Sequence, residues 1–286
     1  MVTGANGFIG RALVKQLISQ ELNVIALSAR DGDIANKHTL ETLPQKDISH
    51  VFHLAGKTFV PDSWIDPQIF YQTNVLGTVN VLEFCRVHNV PLTYISAYVY
   101  GHPEILPIRE DSIIRPNNPY AMTKWIAEQA CSFYAKIYNI PVITIRPFNA
   151  YGIGQAAKFL IPAIIRQVIE SGPNIVVKDL TPKRDYVYLD DLIIALIATL
   201  SNPINYRTFN IGSGISLSVQ EVIDIIQDVT GTSKRIICDN VVRANELMDV
   251  TADITKAGIE LGWHPKYSFR AGIEEIIKSE LSGGKI

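Results

Sequence analysis

Three glycines at a spacing of three, in Gly4-Ala5-Asn6-Gly7-Phe8-Ile9-Gly10, open the chain directly after Val2-Thr3. Apolar Ile9, Leu13 and Leu17 follow at helical spacing. This order predicts a strand, a tight turn and a helix whose first N–H groups face an anion. Gly4 permits the turn, Gly7 lets backbone approach a pyrophosphate, and Gly10 lets the helix lie close on the sheet. The main chain of Asn6, Phe8 and Ile9 then lines the same anion. Only Met1–Thr3 precede the turn. A central strand takes about five residues, so this reads as a truncated or mis-assigned start.

Short apolar runs recur at Val24–Leu27, Val51–Leu54, Leu92–Ile95 and Val142–Ile145. Each reads as a strand buried on both faces. Helical patterns at Phe8–Gln20, Thr73–Val87 and Tyr120–Tyr138 separate them. Alternation of this kind predicts an α/β fold, a Rossmann-like doubly wound parallel sheet. After about residue 150 the pattern loosens. Helices are expected at Leu160–Glu170, Leu189–Leu200, Val219–Val229 and Phe269–Ser279, with short strands at Ile175–Val177 and Thr208–Ile211. Residues 1–148, with about 187–211, form the expected dinucleotide-binding domain. Residues of about 149–186 and 212–286 form a smaller C-terminal α/β lobe.

Of the 286 residues, 47% are apolar and 19% charged, with a net charge of −2. No basic footprint for nucleic acid stands out. Cys85, Cys131 and Cys238 form no CxxC pair and read as buried thiols in a reducing compartment. Leu192–Leu200 is the longest nearly unbroken apolar run and is too short to span a bilayer. A cytoplasmic enzyme is the expectation.

The end of the second strand selects the cofactor. A carboxylate there accepts from a ribose 2′-OH and repels a 2′-phosphate. Here the strand ends Ala26-Leu27-Ser28-Ala29-Arg30, so Ser28 stands where the acid is usual and Arg30 follows. A guanidinium suits a phosphate. The reading favours NADP(H), with NAD(H) as the alternative. Asp31 or Asp33 could instead serve the ribose or the adenine amino group, leaving Arg30 a solvated charge.

Tyr120 and Lys124 stand four apart, one turn of a helix that Asn118 would cap and Pro119 would begin. A free phenol with pKa near 10 is a poor acid or base at neutral pH. Lowering it by about three units requires about 4 kcal/mol from nearby positive charge. Ser96 follows the strand Leu92–Ile95, at the carboxyl edge where such sheets bind ligands.

These features, in order, resemble the extended short-chain dehydrogenase/reductases, the nucleotide-sugar epimerase, dehydratase and reductase group. The resemblance runs through His53-Leu54-Ala55-Gly56, Asn74-Val75-Leu76-Gly77-Thr78, Ile95-Ser96-Ala97-Tyr98-Val99-Tyr100-Gly101 and the Tyr120/Lys124 pair. It continues through Arg146-Pro147-Phe148-Asn149-Ala150-Tyr151-Gly152, Arg184–Asp191 and Leu261-Gly262-Trp263-His264-Pro265. It implies that Ser96, Tyr120 and Lys124 are catalytic. It implies that Leu54, Ala55, Gly56, Asn74, Lys124 and Pro147 line the cofactor, and that Asn149, Arg184 and Arg243 hold a nucleoside-diphosphate sugar. Arg243 is followed by Ala244-Asn245-Glu246, where the family more often has glycine and then an acid. Lys57, Thr58, Tyr98 and Phe159 are further pocket candidates. Asp190 and Asp191 read as helix-start charges, and no metal ligand set is assigned.

Dehydratases of the group carry an Asp–Glu pair directly after the hydroxyl residue; here Ala97-Tyr98 stand there. About 20 residues separate Arg30 from Val51, too few for an extra strand–helix pair. The NADP-dependent 4-keto-6-deoxy-sugar reductases of the group are similarly short there. The expectation is therefore NADPH-dependent reduction of a 4-keto group. An NAD-dependent 4-epimerase is the alternative, and a non-catalytic cofactor sensor a third reading. The resemblance also implies a homodimer through Thr73–Val87 and Tyr120–Tyr138.

Overall fold

The computed structural model describes residues 1–43, 47–201, 205–241 and 246–282. In chain order its strands are β1 (Val2–Thr3), β2 (Ala26–Leu27), β3 (Val51–His53), β4 (Leu92–Ile95), β5 (Val142–Pro147) and β6 (Asn149–Tyr151). They continue with β7 (Asn174–Val177), β8 (Lys183–Tyr188), β9 (Tyr206–Ile211), β10 (Ser216–Ser218) and β11 (Arg235–Cys238). Six of them form one sheet in the order β2-β1-β3-β4-β5-β9, with every pair parallel. Every residue of β4 and β5 is buried, which fits their largely apolar sequences.

Two apolar clusters cover the faces of this sheet. Leu13 and Leu17 of the first helix, Phe8–Ser19, pack with Leu192 and Leu196 of the helix Leu189–Ala198. On the other face Val81, Leu82 and Cys85 meet Ala127, Cys131 and Ala135. Cys85 and Cys131 are fully buried free thiols, and Cys238 is half-buried.

The later part of the chain has a core of its own around Ile164, Ile165, Val222, Ile226 and Ile273. There β10-β8-β6 form one small sheet and β11-β7 another. Strands β6, β8, β10 and β11 were not legible as apolar runs. β6, β10 and β11 are short, and β8 opens on the polar run Lys183-Arg184-Asp185.

The expected helix Thr73–Val87 is instead composite. A turn of helix at Pro67–Phe70 leads into a π-helical segment at Tyr71–Leu76, and a regular helix runs only from Gly77 to His88. A π turn widens the helix by one residue per turn and leaves no mark in apolar periodicity. Between β2 and β3 the described residues hold one short helix, His38–Glu41, and no further strand. No helix among the described residues is long and apolar enough to cross a membrane.

Candidate active site

β2 and β3 flank β1 on opposite sides, so the chain reverses its winding at β1. Ligands of such sheets bind at this switch point, outside the carboxyl ends of the strands. Here the ends of β1 and β3 nearly touch. Gly4 has φ +70°, and a Cβ on it would stand 2.6 Å from Ala55 N and 2.7 Å from Leu54 C. A Cβ on Gly10 would meet Gly4 O at 2.1 Å. No side chain fits at either position. Gly7 precedes the helix Phe8–Ser19 with no side-chain cap, and Asn6 and Gly7 are exposed at the mouth. Uncapped N–H groups beside exposed glycine backbone form a cradle for a pyrophosphate.

At the end of β2, Ser28 N and Ser28 Oγ both donate to Asp31 Oδ2, each at 2.8 Å. These bonds and the neighbouring Arg30 hold the Asp31 carboxyl below the usual range. Of the two acids the sequence offered for the ribose, it is Asp31 that folds back onto Ser28. Arg30 is exposed. Asp33 caps its own turn, with Oδ1 accepting from Ala35 N at 2.9 Å.

Asn118 Oδ1 accepts from Ala121 N at 2.9 Å and starts the helix Pro119–Tyr138, as its sequence predicts. Tyr120 sits in its first turn, with the Phe70 ring edge-on at 6.4 Å. Lys124 is 4% exposed, and its Nζ stands 4.4 Å from the centroid of the Tyr94 ring. Burial pushes the Lys124 ammonium down to about 8, with Cys131 and Glu128 opposing the shift. Burial also raises the Tyr120 phenol. The expected depression of Tyr120 by Lys124 is thus outweighed in the protein alone; desolvation dominates both groups. Ser96 is buried at the end of β4. Its N donates to Ile145 O at 2.7 Å, while its Oγ has no partner within the protein. An orphaned buried hydroxyl is what a ligand oxygen would satisfy.

Asn74 projects from the π turn and clamps the loop after β3. Its Oδ1 accepts from Lys57 N at 2.8 Å, and its Nδ2 donates to Lys57 O at 3.1 Å and to Thr123 Oγ1 at 3.0 Å. Its amide is therefore engaged in shaping the loop. A Cβ on Gly56 would stand 3.0 Å from Asn74 Oδ1 and 3.9 Å from Lys124 Nζ, so glycine keeps this corner open. Leu54 and Ala55 are half-buried in the same loop, and Pro147 is buried at the end of β5. These residues and the glycine cradle fit a dinucleotide.

The expected substrate residues divide. Asn149 Nδ2 donates to Asp185 O at 3.1 Å, tying β6 to β8. The Arg184 guanidinium pairs with Glu246 and donates to Leu247 O at 2.5 Å. The Tyr98 hydroxyl donates to Gly101 O at 2.6 Å, and its ring packs edge-on against Phe148. Lys57 is exposed. Phe159 lies edge-on to Phe59 at 5.9 Å, joining the second lobe to the loop after β3. Arg243 lies outside the described residues. Asp191 is more than a helix-start charge: its carboxylate accepts from Lys266 N at 2.9 Å and Tyr267 N at 3.0 Å, anchoring the segment after Trp263.

Four buried residues had no partner assigned in the sequence reading. Asp185 is fully buried and accepts from Ser213 N, Gly214 N and Ala252 N. Glu128 and Arg146 form a buried ion pair at 2.7 Å, and Arg146 also donates to Tyr100 Oη at 2.8 Å. His53 is buried between two threonines. The signal for Glu128 was present, one turn beyond Lys124, but its partner lies 18 residues away.

The glycine turn, the parallel sheet and the presence of Ser96, Tyr120 and Lys124 match an NAD(P)-dependent enzyme of the short-chain dehydrogenase/reductase type. The chain belongs to the NAD dependent epimerase/dehydratase family, whose profile matches residues 1–212. It is 29% identical to GDP-6-deoxy-D-mannose reductase of Pseudomonas aeruginosa, over 96% of this chain and 95% of that one. It is 30% identical to UDP-glucose 4-epimerase of Lactobacillus helveticus, over 93% and 92%. The structure of RMD from Pseudomonas aeruginosa complexed with NADPH superposes with a TM-score of 0.88 at 28% identity, covering 98% of both chains. The protein is thus an NAD(P)-dependent oxidoreductase or epimerase of nucleotide sugars.

Proposed function

We propose that this protein uses NADPH to reduce the 4-keto group of a nucleoside-diphosphate 4-keto-6-deoxy sugar. The observation that carries the reading is the edge of the sheet. β2 is outermost and is followed by Ser28 and exposed Arg30, and the described residues between β2 and β3 hold one short helix. A guanidinium at that point suits a 2′-phosphate.

The bound cofactor would supply the hydride. Ser96 Oγ donates a hydrogen bond to the carbonyl oxygen at C4, which satisfies its own orphaned hydroxyl. Tyr120 gives its phenolic proton to that oxygen as negative charge develops there. Burial holds Tyr120 protonated, the form an acid must have. Lys124 would hold the cofactor's ribose, and its ammonium steadies the phenolate left behind. Asn149 and Arg184 face the diphosphate, with Arg184 exchanging Glu246 for phosphate oxygens.

The test is the dissociation constant for NADPH against that for NADH. Tighter NADPH is expected; tighter NADH, or NAD that co-purifies, overturns the reductase reading.

One observation favours a second reading, a 4-epimerase using NAD. The Asp31 carboxylate at Ser28 stands where an acid would accept from a ribose 2′-OH. In that reading Tyr120 first takes the proton from the sugar 4-OH.

A cytoplasmic location and a homodimer belong to the same proposal. Val87, Phe133, Ile137 and Tyr138 are exposed apolar residues on the two helices the resemblance assigns to a dimer. Light scattering at micromolar concentration reads the oligomeric state.

A further inference from the structure

His53 ends β3 and is fully buried, yet no step of the proposed reduction uses it. Both ring nitrogens are engaged: Nδ1 lies 2.7 Å from Thr3 Oγ1 and Nε2 lies 3.0 Å from Thr78 Oγ1. Counting donors places the proton. Thr78 Oγ1 has one hydrogen and donates it to Asn74 O at 2.6 Å. Toward the imidazole Thr78 must accept, so Nε2 carries the proton. Burial and the Lys124 ammonium push the ring pKa down to about 3, so Nδ1 is bare. Nδ1 accepts from Thr3 Oγ1, which itself accepts from Ala55 N at 3.1 Å.

The series continues on the other side of Asn74. Asn74 Nδ2 donates to Thr123 Oγ1 at 3.0 Å, and Thr123 Oγ1 donates to the backbone oxygen of Tyr120 at 2.8 Å. Thr3, His53, Asn74, Thr78 and Thr123 are each at most 1% exposed. With water excluded, every hydroxyl in the series has its direction set by its neighbours. Thr78 stands four residues after Asn74, and its hydroxyl adds a donor to a carbonyl inside the π-helical segment Tyr71–Leu76.

We propose that His53 is a positioning residue. As the Nε2–H tautomer it holds the Thr78 hydroxyl on Asn74, which keeps the π turn and its clamp on Lys57. Through that clamp it sets the cofactor loop, Leu54–Lys57, in register with Tyr120. The role in turnover rests on the reading of Tyr120 as the acid. The assignment of the tautomer does not.

Thr78→Val preserves shape and removes the hydroxyl; Thr78→Ser restores it. Thr78→Val is expected to lower kcat about tenfold, with KM for the sugar unchanged within about twofold, because misplacement at the reacting atoms acts on turnover. Thr78→Ser should recover most of the loss. Adding His53→Leu to Thr78→Val should lower kcat no further, since both break one series. Nitrogen-15 spectra of the imidazole in the free protein should show a bare Nδ1 and a protonated Nε2. A protonated Nδ1 there overturns the proposal whatever the reaction. Wild-type turnover in folded Thr78→Val, or multiplying effects in the double variant, overturns it too. An inactive wild type counts against the reductase reading, while a protonated Nδ1 in the spectrum overturns the proposal itself.

Discussion

Asp31 Oδ2 accepts from Ser28 N and Ser28 Oγ at 2.8 Å each, so a carboxylate occupies the two donors at the end of β2. A 2′-phosphate would seek the same donors and meet a like charge. Asp31→Asn should therefore favour NADPH over NADH by about tenfold more than wild type, with the Arg30 guanidinium left unopposed. Paired binding titrations with the two dinucleotides check this. A ratio unchanged within about twofold would show that Asp31 takes no part in selection.

Tyr120→Phe removes the only proton that the proposed step donates from the protein. Turnover should fall by about two to four orders of magnitude, the usual worth of a positioned acid. Cofactor affinity should stay near wild type, measured by quenching of protein fluorescence. Surviving turnover would mean another group supplies the proton.

Lys124 carries a cost to stability. Burial brings its folded pKa to about 8, below the ordinary lysine value of 10.5. The charged form is therefore penalised in the fold at neutral pH, and the penalty is relieved as pH rises from 8 toward 10.5, where the unfolded chain binds more protons. Lys124→Met should raise the melting temperature at pH 7, by about 2 kcal/mol of stability, while turnover is lost. The gain should shrink between pH 8 and 10. A variant that melts lower at pH 7 would contradict this account.

Glu128 is wholly buried against Arg146, whose side chain is 5% exposed. Removing one partner strands a buried charge, which costs about 3–5 kcal/mol. Glu128→Leu should lower the urea midpoint accordingly. Glu128→Leu combined with Arg146→Met should recover much of the loss, because no unpaired charge remains. A double variant as unstable as Glu128→Leu would locate the loss in packing or in the Arg146–Tyr100 contact instead.

Local causes made much of the site legible. Gly4 and Gly10 were readable because their turn admits no Cβ. The start of the catalytic helix was readable because Asn118 and Pro119 act within one turn. The buried strands were readable because their apolar runs record burial on both faces. What escaped depends on distant partners. Nothing near Arg184 announces Glu246, 62 residues on, and nothing near Asp191 announces Lys266 and Tyr267. The π turn escaped because apolar spacing is blind to one extra residue in a turn.

The sequence by itself determined the cradle, the order of the parallel strands' apolar runs and the presence of Ser96, Tyr120 and Lys124, since each has a cause within a few neighbouring residues. Only the tertiary structure decided what surrounds them. It left Ser96 Oγ without a partner within the protein and buried Lys124 deeply enough to bring its pKa to about 8. Hydrogen-bond partners and desolvation are properties of segments brought together from far apart in the chain, and no local pattern records them.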